Sequence, residues 1–152
     1  MTYYPPSMRV LTAGRYFIVT ASIATTVAVV LAACGSDPPA EECVTVDRSC
    51  TPAYDPTFDN LFKNTFSKSC ALAGPSCHAS AGHQAGLILE NEDMAYSLLQ
   101  QHGRAVAGNP ECSLIVRRIQ STDTSFMMPP GMPLALGEQC AIIQWVSHGA
   151  MR

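Results

Sequence analysis

Two cysteines and the histidine that directly follows the second of them, Cys70, Cys77 and His78, are the residues of this sequence best suited to chemistry. In an oxidising compartment, this order indicates two thioether links to a haem and an axial imidazole ligand on its iron. The usual spacing, C-x-x-C-H, has two residues between the cysteines, whereas six intervene here. Two thiols can also oxidise to each other, so haem attachment and a Cys70–Cys77 disulfide both stay open at this point.

The N-terminal segment predicts export. Arg9 and Arg15 make the start basic, residues 16–30 are apolar, and small residues follow. This pattern is typical of a secretory signal rather than of a retained transmembrane anchor, for which the apolar run is marginal in length. Leu31-Ala32-Ala33-Cys34 resembles the lipobox of bacterial lipoproteins. The resemblance implies cleavage before Cys34 and acylation of its sulfur and new amino group, palmitate included.

Acyl chains on Cys34 predict a protein that is anchored to a membrane without spanning it. In lipoproteins an Asp after the cysteine favours the inner membrane, and Gly35 stands there instead. We therefore expect a location in the cell envelope, at the outer membrane, facing the periplasm or the cell surface. The predicted organisation is a signal peptide over residues 1–33, a lipidated, Pro-rich and disordered tether over 34–56, and one domain over 57–152.

Composition excludes some classes of function. The chain carries 9 Lys and Arg against 12 Asp and Glu, and no basic run occurs, so nucleic acid is not an expected partner. No Ser/His/Asp arrangement, phosphate-binding loop or H-E-x-x-H motif is found, so we do not expect an enzyme.

The seven cysteines indicate covalent cross-links in so small an exported chain. With Cys34 used for lipid, six remain, and both three disulfides and two thioethers with two disulfides would use them all. We predict the pairs Cys43–Cys50, which closes a small loop, and Cys112–Cys140, which bridges two helices, with Cys70–Cys77 as a third pair if no haem is attached.

Apolar periodicity and capping residues predict about four short helices and no sheet, an all-α fold. The first begins at Asp55-Pro56 and ends at Cys70, and the second covers about Glu92 to His102. The third is opened by Asn109-Pro110-Glu111, and the fourth covers about Glu138 to Ser147. On the third helix, Arg117 and Arg118 are expected to face solvent. A stiff loop over 121–137 holds three methionines.

In this order the parts resemble the small c-type cytochrome domains attached to many exported bacterial proteins, including those of planctomycetes and myxobacteria. The motifs that carry the resemblance are Cys77-His78, Gly108-Asn109-Pro110-Glu111-Cys112, Met128-Pro129-Pro130-Gly131 and Trp145-Val146-Ser147-His148-Gly149-Ala150. The resemblance implies a small cytochrome c-like helical domain that carries haem c and transfers electrons to an unknown redox protein. By the same resemblance Cys70 and Cys77 hold the haem, His78 is the proximal iron ligand, and Met128 the distal one, with Met127 as the competing candidate.

Two other interpretations remain. The first is a haem-less, disulfide-stabilised, cytochrome-like structural or binding lipoprotein of the cell envelope. The second is a copper site, because imidazole and thioether are copper ligands; its residues would be His78, His83, Met127 and Met128.

Overall fold

The computed structural model describes residues 42–74 and 77–152. The predicted signal peptide, lipidation site and first part of the tether lie outside these ranges. Every regular element in the described ranges is helical, so the predicted all-α fold is confirmed. The elements are α1 (Phe58–Leu61), which continues as a π-helix over Phe62–Cys70, a 3-10 turn (Gln84–Gly86), α2 (Glu92–Leu99), α3 (Leu114–Gln120) and α4 (Leu136–Ser147). In the described part of the chain, no helix is both long and apolar enough to cross a membrane.

The first helix supplies the aromatic centre of the core. Thr57 caps its N-terminus by accepting a hydrogen bond from the backbone N–H of Asn60 at 3.4 Å. Phe58 and Phe66 are fully buried. The ring of Phe58 lies 5.0 Å from that of Tyr96 and 5.6 Å from that of Trp145, centroid to centroid. One aromatic cluster therefore joins the first helix to α2 and α4.

The helix α4 is the most deeply buried element. Apolar residues on more than one of its sides lie in the core, because the helix packs against both α1 and α3. The indole N–H of Trp145 donates to the carbonyl oxygen of Met151 at 2.7 Å, which satisfies its only polar group. This contact also holds the C-terminus against the domain.

The helix boundaries differ from the prediction at three places. The first helix begins at Phe58, with Thr57 as its cap, rather than at Asp55-Pro56. The helix α2 ends at Leu99 rather than near His102, because Gln100 closes it and the backbone turns at His102, where φ is +55°. The segment opened by Asn109 forms a turn, in which the Asn109 side chain accepts from the Cys112 N–H at 3.3 Å. The helix α3 itself begins only at Leu114.

The predicted disulfide pairs Cys43–Cys50 and Cys112–Cys140 are wrong. The described chain contains Cys43–Cys112 and Cys50–Cys140, which join residues 69 and 90 positions apart. The physical reason is that residues 42–56, which we call the strap, lie along the domain instead of closing on themselves. Each strap cysteine therefore meets the cysteine of a different part of the helical domain.

Noncovalent contacts hold the strap as well. The backbone N–H of Ala53 donates to the carbonyl oxygen of Gly137 at 2.9 Å, and a Cβ at Gly137 would lie within 3.2 Å of three atoms of Ala53. The guanidinium of Arg48 binds both carboxylate oxygens of Glu111, at 2.9 and 2.6 Å. Tyr54 packs against the core and its hydroxyl hydrogen-bonds Thr65. Residues 42–56 are thus fastened to the domain, unlike the disordered tether that was predicted there.

Candidate functional site

A mostly apolar cavity of about 240 Å³ lies among the first helix, the loop after it, α3 and α4. Aliphatic and aromatic side chains form most of its wall. Examples from five different segments are Phe66, Leu87, Leu99, Ile119 and Ile142. Such a cavity, with a few polar groups in its wall, is the usual form of a small-molecule or cofactor site.

Three of the residues that the sequence singled out line this cavity. They are Cys70 at the end of the first helix, His78 in the following loop and Met128 in the methionine loop. The competing residue Met127 is buried elsewhere, at 8% exposure, and is not part of the cavity wall. Cys77 is half-buried and outside the wall. Both Cys70 and Cys77 are free thiols, so the conditional Cys70–Cys77 disulfide is not formed.

The backbone brings His78 beside Cys70 in spite of the six residues between the two cysteines. The N–H of His78 donates to the carbonyl oxygen of Cys70 at 3.0 Å. On the other side, the N–H of Leu89 donates to the carbonyl oxygen of His78 at 2.7 Å. His78 therefore lies beside Cys70, so that the longer spacing does not displace the histidine from the end of the first helix.

Close backbone packing accounts for Gly82, a residue whose role the sequence did not reveal. A Cβ at this position would lie 2.3 Å from the carbonyl oxygen of Gly74 and 2.5 Å from that of Cys77. Only glycine permits these two segments to touch. The loop that carries His78 thus depends on a glycine that follows the motif by several residues.

Met128 is positioned by α3. Its backbone N–H donates to the carbonyl oxygen of Arg118 at 3.0 Å. In return, the guanidinium of Arg118 donates to the carbonyl oxygen of Phe126 at 3.1 Å and lies 4.1 Å from the centroid of its ring. These contacts fasten the methionine loop to the last turn of α3 and hold Met128 at the cavity.

The imidazole of His78 is suited to binding a metal. Burial lowers the pKa of His78, an effect that Arg104 and Arg118 reinforce and that hydrogen bonds with the backbone of Leu87 and Gln84 oppose. The neutral imidazole that this favours is the form that coordinates metals. Within the described ranges, its Nδ1 atom is buried and has no hydrogen-bond partner.

Burial, with smaller contributions from Glu138 and Cys77, raises the pKa of Cys70 to about 12. Its sulfur is therefore a neutral thiol at physiological pH. The copper site considered from the sequence is not assembled, because His83 is exposed, with its ring bonded to the Ser80 carbonyl, and Met127 lies outside the cavity. The described residues also contain no group of three or more His, Cys, Asp or Glu that could hold a metal ion.

The expectation that Arg117 and Arg118 face solvent is wrong. Arg117 is 9% exposed, and Arg118 lies in the cavity wall. A further arginine, Arg104, for which the sequence contains no local signal, is 8% exposed and also lines the cavity. Two guanidinium groups, from Arg104 and Arg118, therefore lie in a mostly apolar wall.

The comparison with protein families bears on the class of this domain. The family model of planctomycete cytochrome C matches residues 75–131. Over this segment the chain is similar to that family, which supports a cytochrome c-like domain. The matched segment contains Cys77, His78, both arginines of the cavity wall and Met128, whereas Cys70 precedes it. No curated protein and no solved structure is similar enough to the chain to count as a match.

Proposed function

We propose that this protein is a membrane-anchored, c-type cytochrome-like electron carrier, not an enzyme, and that it binds one haem covalently. The observation that carries the proposal is that His78, Met128 and Cys70 line one apolar cavity within a domain similar to planctomycete cytochrome C. A bound haem would supply an iron that changes oxidation state by one electron, and a histidine–methionine ligand pair would leave it no open coordination position.

The residues present fit this cofactor. His78 offers a buried ring nitrogen with no partner among the described residues, and Met128 offers a thioether. Cys70 and Cys77 are both free to form the two thioether links. The other four cysteines of the domain and strap are used in disulfides, so no other pair of thiols in the described ranges competes for the haem.

The haem-less alternative joins Cys70 to Cys77 in a disulfide. Thiol–disulfide exchange begins from a thiolate, and the Cys70 thiol, with a pKa of about 12, is a poor nucleophile in the folded chain. Both sulfurs are free thiols there, which supports their availability for haem attachment.

The test is to export the full chain in a bacterium that has haem-attachment machinery and to purify it in detergent. We expect a red protein whose haem stays with the polypeptide after denaturation and whose mass exceeds that of the lipidated chain by one haem. A Cys70→Ala/Cys77→Ala variant is the matched control and should lose covalent haem. A colourless wild-type chain whose tryptic peptides join Cys70 to Cys77 would contradict the proposal.

The proposed anchor is the lipid on Cys34, and the proposed location is the outer membrane, facing the periplasm or the cell surface. A Cys34→Ser variant should lose incorporation of labelled palmitate and leave the membrane fraction. If this variant stays with the membrane to the same extent as wild type, the lipid is not the anchor. The expected partner is a redox protein.

A further inference from the structure

Arg104 is a buried cation held only by neutral groups. Its Nη1 donates to the carbonyl oxygen of Leu98 at 2.8 Å, and its Nη2 donates to that of Ala85 at 2.8 Å. At 8% exposure, its charge is largely removed from water. Buried charges in proteins are normally paired with an opposite charge, because desolvation alone is costly.

The second arginine of the wall, Arg118, is half-buried and is likewise held by neutral groups. Its contacts are the carbonyl oxygen of Phe126 and the face of the Phe126 ring. Arg48 and Arg152, in contrast, pair with the carboxylates of Glu111 and Asp93. No carboxylate in residues 42–74 or 77–152 pairs with Arg104 or Arg118, so two positive charges face one cavity without a counter-charge.

We propose that Arg104 and Arg118 bind the carboxylate groups of the molecule that fills this cavity, and that these are the propionates of the haem. The inference rests on the proposed function, since a porphyrin with a broad apolar ring and two propionates matches a largely apolar wall that contains two guanidinium groups. Arginine suits this role because its planar N–H groups match a carboxylate geometrically and its charge is permanent.

The hydrogen bond from Arg104 to Ala85 also connects the proposed carboxylate site to loop 83–87, which borders the cavity. Arg104 donates to Ala85, whose φ of +53° is rare for a residue with a side chain. The arginine therefore holds a strained turn next to His78 while it faces the cavity. We expect that a carboxylate on Arg104 also fixes this turn, so that haem and loop 83–87 become ordered together.

The first experiment uses the full chain exported without haem-attachment machinery and therefore free of haem. Porphyrin fluorescence measures the binding of protoporphyrin IX and of its dimethyl ester, which has the same ring without the charges. We expect wild type to bind the free acid about tenfold or more tightly than the ester, since hydrogen bonds between charged groups are the strong ones. Arg104→Gln and Arg118→Gln should each reduce this preference, Arg104→Lys should retain part of it, and Arg48→Gln, on the strap, should leave it unchanged.

The second experiment uses the haem-loaded chain and measures its reduction potential. Removing a positive charge beside the haem stabilises the oxidised iron, so Arg104→Gln and Arg118→Gln should shift the potential downwards, whereas Arg104→Lys should restore most of it. If the two arginines only stabilised the fold, these substitutions would lower the free energy of unfolding but would not change the reduction potential in this order. Equal binding of acid and ester by wild type would overturn the inference even if the protein carries haem. If the chain prefers the free acid but never acquires covalent haem, the proposed function is contradicted and the carboxylate site is still supported.

Discussion

The backbone N–H of His78 and the carbonyl oxygen of Cys70 are 3.0 Å apart and hydrogen-bonded. This contact holds His78 at the end of the first helix although six residues separate the two cysteines in the sequence. It explains how an unusually long motif can keep its histidine at the cavity. The position of His78 at the cavity is therefore determined by this hydrogen bond and not by the number of residues between the cysteines.

His78 provides the most direct test of the haem site. In a haem-loaded chain, His78→Ala should abolish the low-spin absorption spectrum, because it removes the imidazole ligand while the thioether cysteines remain. The measurement is the visible spectrum of both oxidation states. His83→Ala is the matched control, since His83 is exposed and bonded to the backbone of Ser80, and it should leave the spectrum unchanged. A normal spectrum in His78→Ala would remove this residue from the site.

Substitutions of the two adjacent methionines, Met127 and Met128, should differ clearly in their effect on the haem. Met128→Leu should lower the reduction potential of a haem-loaded chain, because a methionine ligand raises it. Met127→Leu should leave the spectrum and potential unchanged and cost less than about 1.5 kcal/mol of unfolding free energy, as a swap of similar volume in the core. Redox titration and denaturant unfolding measure the two effects. The opposite pattern would assign the distal ligand to Met127.

The disulfides of the strap should contribute strongly to stability. Cys43→Ser/Cys112→Ser and Cys50→Ser/Cys140→Ser each open a loop of 69 or 90 residues, and each should lower the free energy of unfolding by about 2 to 5 kcal/mol. Chemical denaturation measures this loss.

The pairing itself is checked by proteolysis without reduction. A fragment containing Cys43 should be released only together with one containing Cys112. Recovery of Cys43 and Cys50 joined within a single short peptide would show that the strap folds on itself and would contradict the structure.

Glu90 should make stability depend on acid pH. Its carboxylate accepts hydrogen bonds from the backbone N–H of Ser80, at 2.8 Å, and from the Ser80 hydroxyl, and these bonds lower its pKa from 4.5. Because the folded pKa lies below the unfolded value, the stabilisation is present above about pH 4.5 and is lost as the pH falls through the folded pKa. Glu90→Gln should lose this stabilisation at neutral pH and flatten the acid limb of the stability curve.

The control for Glu90 is a double-mutant cycle. In a Ser80→Ala background, the Glu90→Gln change should have a smaller effect, since one of the two hydrogen bonds is already absent. The thermal midpoint, measured from pH 3 to pH 7, reports both variants. If Glu90→Gln acts identically in the two backgrounds, the carboxylate stabilises the fold through another group.

Local features of this protein could be predicted from its sequence. Apolar periodicity and capping residues indicated the first helix and α2. The structure shows that the Asn91 side chain caps α2 by accepting from the Met94 N–H at 3.0 Å. Caps and apolar periodicity act over a few residues, so they are visible in one stretch of chain. The same is true of the Cys77-His78 pair and the Met128-Pro129 step, in which His78 and Met128 border the cavity.

The long-range arrangement could be decided only by the tertiary structure. The pairing of Cys43 with Cys112, the choice of Met128 over Met127 for the cavity wall and the burial of Arg104 all depend on which segments meet in space. None of these leaves a local signal, because a cysteine, a methionine or an arginine has the same sequence neighbours whichever way the chain folds over it. The sequence by itself determined the helical class and the candidate ligands, and packing around one apolar cavity determined which of them come together.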